Sequence, residues 1–384
     1  MRSLPTLLLL SWGGGLGHVA RCAVVGRAAR ARGWRVVIAV RNMHAEVALV
    51  REANCEPVVY PASLIPRQLW QCWRDHDHVR DAVEADSALI ARVGADVVVH
   101  DNRPSAMVAA TAARVPAVSI CQQVHLVGFT YDGASRTWSL AVEPFNRVLS
   151  SLDLPEITED LRELYARGLI VIPSIPEFDP IPDLDTVGNV SYVGPLTMLN
   201  DLGAADGGHD IERNGIFFYR TMFDATRAEE FLDAFGDLGS EIMIATGDGS
   251  VARSLRDSSR FGRASIKVMF DMSVVARTAK CAVTIGGHGS CLSCIQASLP
   301  SVIVLDPSPE RELNARWMER MGLGYVLRPP TTHPSVIPWA QIRTLAEGLS
   351  SDSETRSNVT KWRARLNRDG AAIAVDRIAN FANL

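Results

Sequence analysis

The sequence predicts an α/β protein made of two Rossmann-like, doubly wound domains that face each other across a cleft. Three observations predict it. Short apolar runs alternate with segments of helical periodicity in both halves of the chain, the pattern of parallel sheets covered on both faces. Residues 202–210, rich in Gly and Asp and without periodicity, separate the halves and read as a linker. Each half carries a glycine-rich turn between a strand and a helix. A chain of 384 residues suits two domains, at roughly 100–200 residues each.

In the first half the candidate strands are Thr6–Leu10, Arg35–Val40, Asp96–His100, Ala117–Ile120 and Leu169–Ile172. Between the first two, Val19, Ala20, Ala23, Val24, Ala28 and Ala29 recur at helical spacing, with Arg21, Arg27, Arg30 and Arg32 on the other side. Gly33 then ends that helix. Alternation restarts after the linker with strands at Ile216–Tyr219, Glu241–Ala245, Ser265–Met269, Cys281–Ile285, Ser301–Leu305 and Gly324–Leu327. Helices are expected at Arg227–Leu238, Ser290–Ser298 and Arg311–Met321. Residues 1–200 are expected to form the first domain and 201–354 the second, with a helical end at 355–384 running back onto the first.

Composition narrows the function. A net charge of −4 without blocks of like charge gives no reason to expect nucleic acid. No apolar stretch reaches the ~20 residues that span a bilayer, so no stable membrane insertion is expected. The run Leu4–Trp12 leads directly into a glycine turn and a helix, which suits a buried first strand better than a signal peptide. Seven scattered cysteines, odd in number, point to reduced thiols and a cytoplasmic location. Cys291 and Cys294 form a lone C-x-x-C, and zinc wants a second pair. Asp75, His76, Asp77 and His78 alternate as neighbours, which does not converge on one helix face, so no metal site is expected there.

The first glycine turn, Gly13–Gly17, follows a strand and opens a helix, where free N–H groups meet an anion or polar ligand. It is a poor dinucleotide fingerprint. Counting from Gly13, the last glycine position is His18, and the chain reads Arg41-Asn42 where a ribose-binding acid belongs. His18 lies in the first turn of the helix, where the dipole disfavours the imidazolium and leaves the ring able to accept a proton. A capping or packing role is the alternative. Asp101 follows the apolar run Val97–Val99 and His100, so it belongs on the same sheet edge and is placed to orient such a base. A turn or cap role beside Asn102 is the alternative there.

The second turn is Thr284-Ile-Gly-Gly-His-Gly-Ser290, followed by a helix, Pro300, a strand, and Glu310-Arg311 ahead of Asn314-Ala315. Its glycines and helix start offer amides to a diphosphate. With these residues the sequence resembles the GT-B superfamily of glycosyltransferases, and most of all its inverting branch. That branch includes natural-product and UDP-glucuronosyl transferases and the peptidoglycan N-acetylglucosaminyltransferase. The matching residues are Gly286, Gly287, Gly289, Ser290, Pro300, Asn314 and Ala315. The N-terminal Gly-Leu-Gly-His18, and Asp101 with its following Asn-Arg-Pro, resemble the family's first loop and base pair. The resemblance spans both domains in outline and is strong over residues 275–325.

Much follows from the resemblance as expectation. It implies an inverting transfer from a nucleotide diphosphate sugar, a UDP-sugar foremost, to a small-molecule acceptor in natural-product or antibiotic biosynthesis, with no cofactor and no metal. His18 and Asp101 would be catalytic. The donor would meet Gly15, Gly17, Thr221, Phe270, Met272, Gly286, Gly287, His288, Gly289, Ser290, Glu310 and Arg311. The acceptor would meet Trp70, Trp73 and Gln122 in the first domain, with core packing as the other reading of the tryptophans. A homodimer is compatible with this class.

The sequence also departs from the family. Ile285 stands where its histidine precedes the two glycines, with His288 as a substitute. Ser293 replaces a glutamate that commonly holds a donor hydroxyl, Met269–Met272 replaces the usual segment facing the base, and Glu310-Arg311 replaces an Asp-Gln pair. An arginine fork suits a carboxylate, so Arg311 points to a uronic acid donor, UDP-glucuronate, unless it pairs with Glu310 or Glu312. The rival functions are a nucleotide-sugar epimerase of the same architecture and a non-catalytic nucleotide-sugar-binding subunit.

Overall fold

The structure, a computed structural model, describes residues 4–12, 16–41, 43–61, 64, 71–129, 138–181, 187–198, 213–219, 230–231, 233–236, 240–257, 264–305, 308–328, 337–349 and 351–384. The chain divides into two compact units, Met1–Leu196 with Asp369–Leu384, and Thr197–Arg368. The segment 202–210, expected as linker, lies outside the described residues.

The first unit is built on a parallel sheet. Its strands are β1 (Thr6–Ser11), β2 (Arg35–Val40), β3 (Glu56–Val59), β4 (Val97–Asp101), β5 (Ala117–Ile120), β6 (Leu169–Ile172) and β7 (Asn189–Tyr192), ordered β3-β2-β1-β4-β5-β6-β7. Every residue of β1 is buried, as a strand covered on both faces requires. Two strands went unread in the sequence. β3 contains Pro57 and, among the described residues, pairs with β2 alone, an edge position where a missing N–H is tolerated. β7 is the other edge, and its four polar or partly exposed residues carry no apolar run.

The first helix, α1 (Leu16–Ala31), follows β1, and α2 (His44–Glu52) follows β2. α3 (His76–Val93) precedes β4 and α4 (Pro104–Ala112) follows it. Asp75 is the N-cap of α3 and accepts from the backbone N–H of Asp77 and His78, at 2.9 and 3.4 Å. The Asp/His alternation is thus a helix start. Among the described residues no group of His, Cys, Asp or Glu could hold a metal ion. None of the described helices is long and apolar enough to cross a membrane.

In the second unit β8 (Gly215–Tyr219), β9 (Ile242–Ala245), β10 (Ala264–Lys267), β11 (Ala279–Thr284), β12 (Ser301–Val304) and β13 (Gly324–Leu327) form a parallel sheet ordered β10-β9-β8-β11-β12-β13. Phe218 packs edge-on against Phe231 and Phe235, with ring centroids 4.9 and 5.1 Å away, and these anchor the core on one face. Both sheets reverse their strand order beside their first strand. That switch point, at the carboxyl ends of the strands, is where such sheets bind ligands.

The helical end is two helices with different allegiances. Ser353–Leu366 packs within the second unit and is capped by Asp352, which accepts from Thr355 N–H at 3.0 Å. Gly370–Ala382 belongs to the first unit and lies on α1, where Arg32 pairs with Asp376 at 2.6 Å. A Cβ on Gly370 would come within 2.5 Å of the Pro195 carbonyl, so the close approach there requires glycine. The return to the first unit therefore starts at Asp369 and leaves residues 355–368 with the second.

Candidate functional site

β1 and β4 are neighbours, with Ser11 paired to Asp101 at their ends. The helix after β1 begins beside that edge, which brings His18 in its first turn to Asp101. His18 Nδ1 lies 2.7 Å from Asp101 Oδ1. An ionised carboxylate only accepts, so Nδ1 carries the proton and Nε2 is the nitrogen able to take another. Asp101 is 1% exposed. Burial alone raises the carboxyl, but the Arg21 guanidinium and the contact with His18 outweigh it and hold Asp101 well below the usual carboxylate range.

Arg21 contributes two bonds, Nε to Oδ2 at 2.6 Å and Nη2 to Oδ1 at 2.9 Å. The sequence pattern set Arg21 on the outer side of α1 with Arg27, Arg30 and Arg32. It is buried instead, because it meets a charge that repays the desolvation.

The backbone beyond Asp101 is clamped. Asn102 adopts φ 55° and accepts from the Tyr165 hydroxyl at 3.2 Å. His100 Nδ1 accepts from Arg103 N–H at 3.2 Å, so its Nε2 proton faces Ser119 Oγ at 2.7 Å. Arg103 forms a buried pair with Asp86 at 2.8 Å, and Ser105 donates to the same carboxylate at 2.7 Å. These contacts make Asp101 a fixed point.

In the second unit the turn after β11 leads into the helix His288–Gln296. Gly286 has φ 83°, and a Cβ there would meet Ile303 Cγ2 at 3.2 Å and the Arg311 carbonyl at 3.3 Å. Asn314 Nδ2 donates to the Gly286 carbonyl at 3.0 Å. Gly287 occupies the N-cap and has no side chain to satisfy the first N–H groups of the helix. Gly289 and Ser290 follow half-buried, and the His288 ring is buried. Glu310 and Arg311, also half-buried, open the helix Pro309–Arg320, whose N-cap Ser308 accepts from Arg311 N–H at 3.2 Å. The structure thus brings the Gly286 turn and Arg311 together. Glu312 instead faces Arg316 and Arg328, at 2.8 and 3.2 Å. Phe270 meets Phe217 edge-on at 5.8 Å, with Lys267 Nζ 5.1 Å from its ring, and Met272 begins the next helix.

No family model matches the sequence. Over 279 residues, 65% of this chain, it is 23% identical to a PGL/p-HBAD biosynthesis glycosyltransferase of Mycobacterium tuberculosis. The match spans 63% of that relative's length. Among solved structures, the glycotransferase of kitacinnamycin has a TM-score of 0.72 at 17% identity, covering 99% of both chains. CalG4, the calicheamicin glycosyltransferase, has a TM-score of 0.68 at 20% identity, again over 99% of both chains. The fold is GT-B. The structural neighbours and the curated relative are glycosyltransferases.

On this GT-B frame the two glycine turns are not equivalent. The first follows the first strand of its sheet. The second follows β11, the fourth strand of the other, and so corresponds by topology to Asp101 after β4. Gly17 is exposed in the first turn of α1 with open space beside it. Gly15, Trp70 and Thr221 lie outside the described residues.

Of the two readings of Trp73, acceptor wall and core packing, the structure gives core packing. Trp73 is 1% exposed, with Trp12 and Phe145 rings 5.4 and 5.6 Å away. An aromatic two residues before a helix cap is drawn inward by that apolar cluster. Gln122 is buried after β5, where its N–H donates to His125 Nδ1 at 3.2 Å. Sequence reasoning missed Arg21 as a site residue. Its signal was the i, i+3 spacing from His18, which puts both on one helix face.

Proposed function

We propose that the chain is an inverting glycosyltransferase that takes its sugar from a nucleotide diphosphate sugar. The observation that carries this reading is the pair of His18 and buried Asp101 at 2.7 Å, on the ligand-binding edge of a GT-B sheet. The acceptor oxygen attacks the anomeric carbon as the bond from that carbon to the diphosphate oxygen breaks on the opposite face. The acceptor's proton passes to His18 Nε2, and Asp101 stabilises the imidazolium that forms. The open amides at the start of His288–Gln296 receive the departing diphosphate charge, so the reading includes no divalent ion. Phe270 offers an apolar face to the nucleoside. Arg311, beside the Gly286 turn, reads the sugar, and a uronic acid is the donor its fork suits best. The names of the structural neighbours support a natural-product acceptor.

Two measurements test the reading. Thermal shift against UDP, dTDP and GDP and their sugars is expected to find at least one stabilising ligand, and none would sink the donor assignment. With a stabilising donor and a panel of hydroxylated acceptors, His18→Ala is expected to lower transfer by about 10²–10⁴-fold. Transfer at the full rate would remove His18 as the base and favour a different mechanism.

A further inference from the structure

Asp101 Oδ1 receives two donors, His18 Nδ1 at 2.7 Å and Arg21 Nη2 at 2.9 Å. Those two nitrogens are 3.0 Å apart. Both carry hydrogens aimed at the carboxylate, so they do not bond each other. The short separation is a guanidinium held against the imidazole by a shared anion. Among the described residues, the neutral ionisable groups around this set stay neutral near pH 7 and the charged ones are paired. Cys22 on α1, Cys121 after β5, and Tyr165 are buried, and burial raises each of them. His100 and His125 are pushed down to about 3 by burial. Arg103 is paired with Asp86 at 2.8 Å and Arg162 with Asp160 at 2.6 Å. Among the described residues, three groups in direct contact carry the balance: Arg21, Asp101 and His18.

We propose that Arg21 is a positioning residue of the base, fixing the Asp101 carboxylate so that His18 keeps its Nδ1–H tautomer, and limiting how far Asp101 raises the proton affinity of His18. This rests on the reading of His18 as the base. An unbalanced buried anion in contact with the ring would favour the imidazolium before substrate arrives, and a protonated ring cannot accept the acceptor's proton. The guanidinium offsets that pull in the resting state. The carboxylate stays ionised and in place to stabilise the imidazolium once proton transfer makes it.

The full chain carrying Arg21→Gln tests this, since the amide keeps hydrogen-bond donors and removes the charge. His18 is followed by NMR of its ring without any substrate, alongside the pH dependence of kcat/KM. The titration of His18 is expected to move up by about one pH unit or more. The acidic limb of the rate should move with it, a loss of about tenfold on that limb. Arg21→Lys, which keeps the charge, is expected to titrate close to the parent protein.

An Arg21→Gln protein that is folded by circular dichroism and whose His18 titrates at the parent's pH overturns the proposal. So does a Lys variant whose His18 titrates about one pH unit or more above the parent's, a comparison that stands even where Gln does not fold. A titration that moves while the rate limb stays would confirm the charge coupling and sink His18 as the base instead.

Discussion

A buried carboxylate, a buried guanidinium and a half-buried imidazole are stable only as a set. Asp101→Ala would take from buried Arg21 the carboxylate that accepts two of its hydrogen bonds. Breaking such a pair costs about 3–5 kcal/mol, so a large drop in urea midpoint is expected, with Asp101→Asn falling in between. A loss under about 1 kcal/mol would mean that the guanidinium reaches water on its own. His18 and Asp101 were legible in the sequence because each sits at a predictable place, a helix start and a strand end. Arg21 was not, and Trp73 was legible only as two alternatives, acceptor wall or core. Helical periodicity sorts residues by the polarity of the side chain and carries no record of the partner that makes burial affordable. For Arg21 the partner is 80 positions away in sequence, and for Trp73 it is an aromatic cluster assembled from three segments.

At the scale of elements, the turn after β11 joins three pieces of chain: the strand, the helix whose amides it exposes, and the helix that starts at Pro309. Gly286 holds them together through its positive φ and its close approach to Ile303 and Arg311. Gly286→Ala is expected to cost about 1–3 kcal/mol of stability in the second unit. It should also weaken nucleotide-sugar binding, as read by calorimetry. Unchanged affinity would separate the turn from the donor site. Most strands were legible at nearly their observed bounds because a parallel strand buried on both faces is an uninterrupted apolar run. The edge strands β3 and β7 escaped because an edge needs neither a continuous apolar run nor a full set of N–H donors. Helix ends shifted by about two residues where Pro309 and the glycines supplied caps.

For the whole molecule, the two units should differ in their response to acid. His100 and His125 lie in the first unit and are neutral when folded, their values pushed by burial to about 3. An unfolded histidine titrates near 6.5. Below that pH the unfolded chain binds protons that the folded unit refuses, so stability is fully present above about pH 6.5 and falls as pH drops toward about 3. The urea midpoint of the first unit is expected to decline between about pH 7 and about pH 5, and less steeply in His125→Gln. An equal slope in that variant would show His125 to be hydrated in the fold. The interleaved order of the units has a further consequence for biosynthesis. The segment from Asp369 onward belongs to the unit whose other strands leave the ribosome first. The N-terminal sheet must therefore wait, with the face of α1 that receives Gly370–Ala382 uncovered, while all of Thr197–Arg368 is made. The unit begun first is completed last, and the nascent chain passes through a stage in which only the later unit has all its parts.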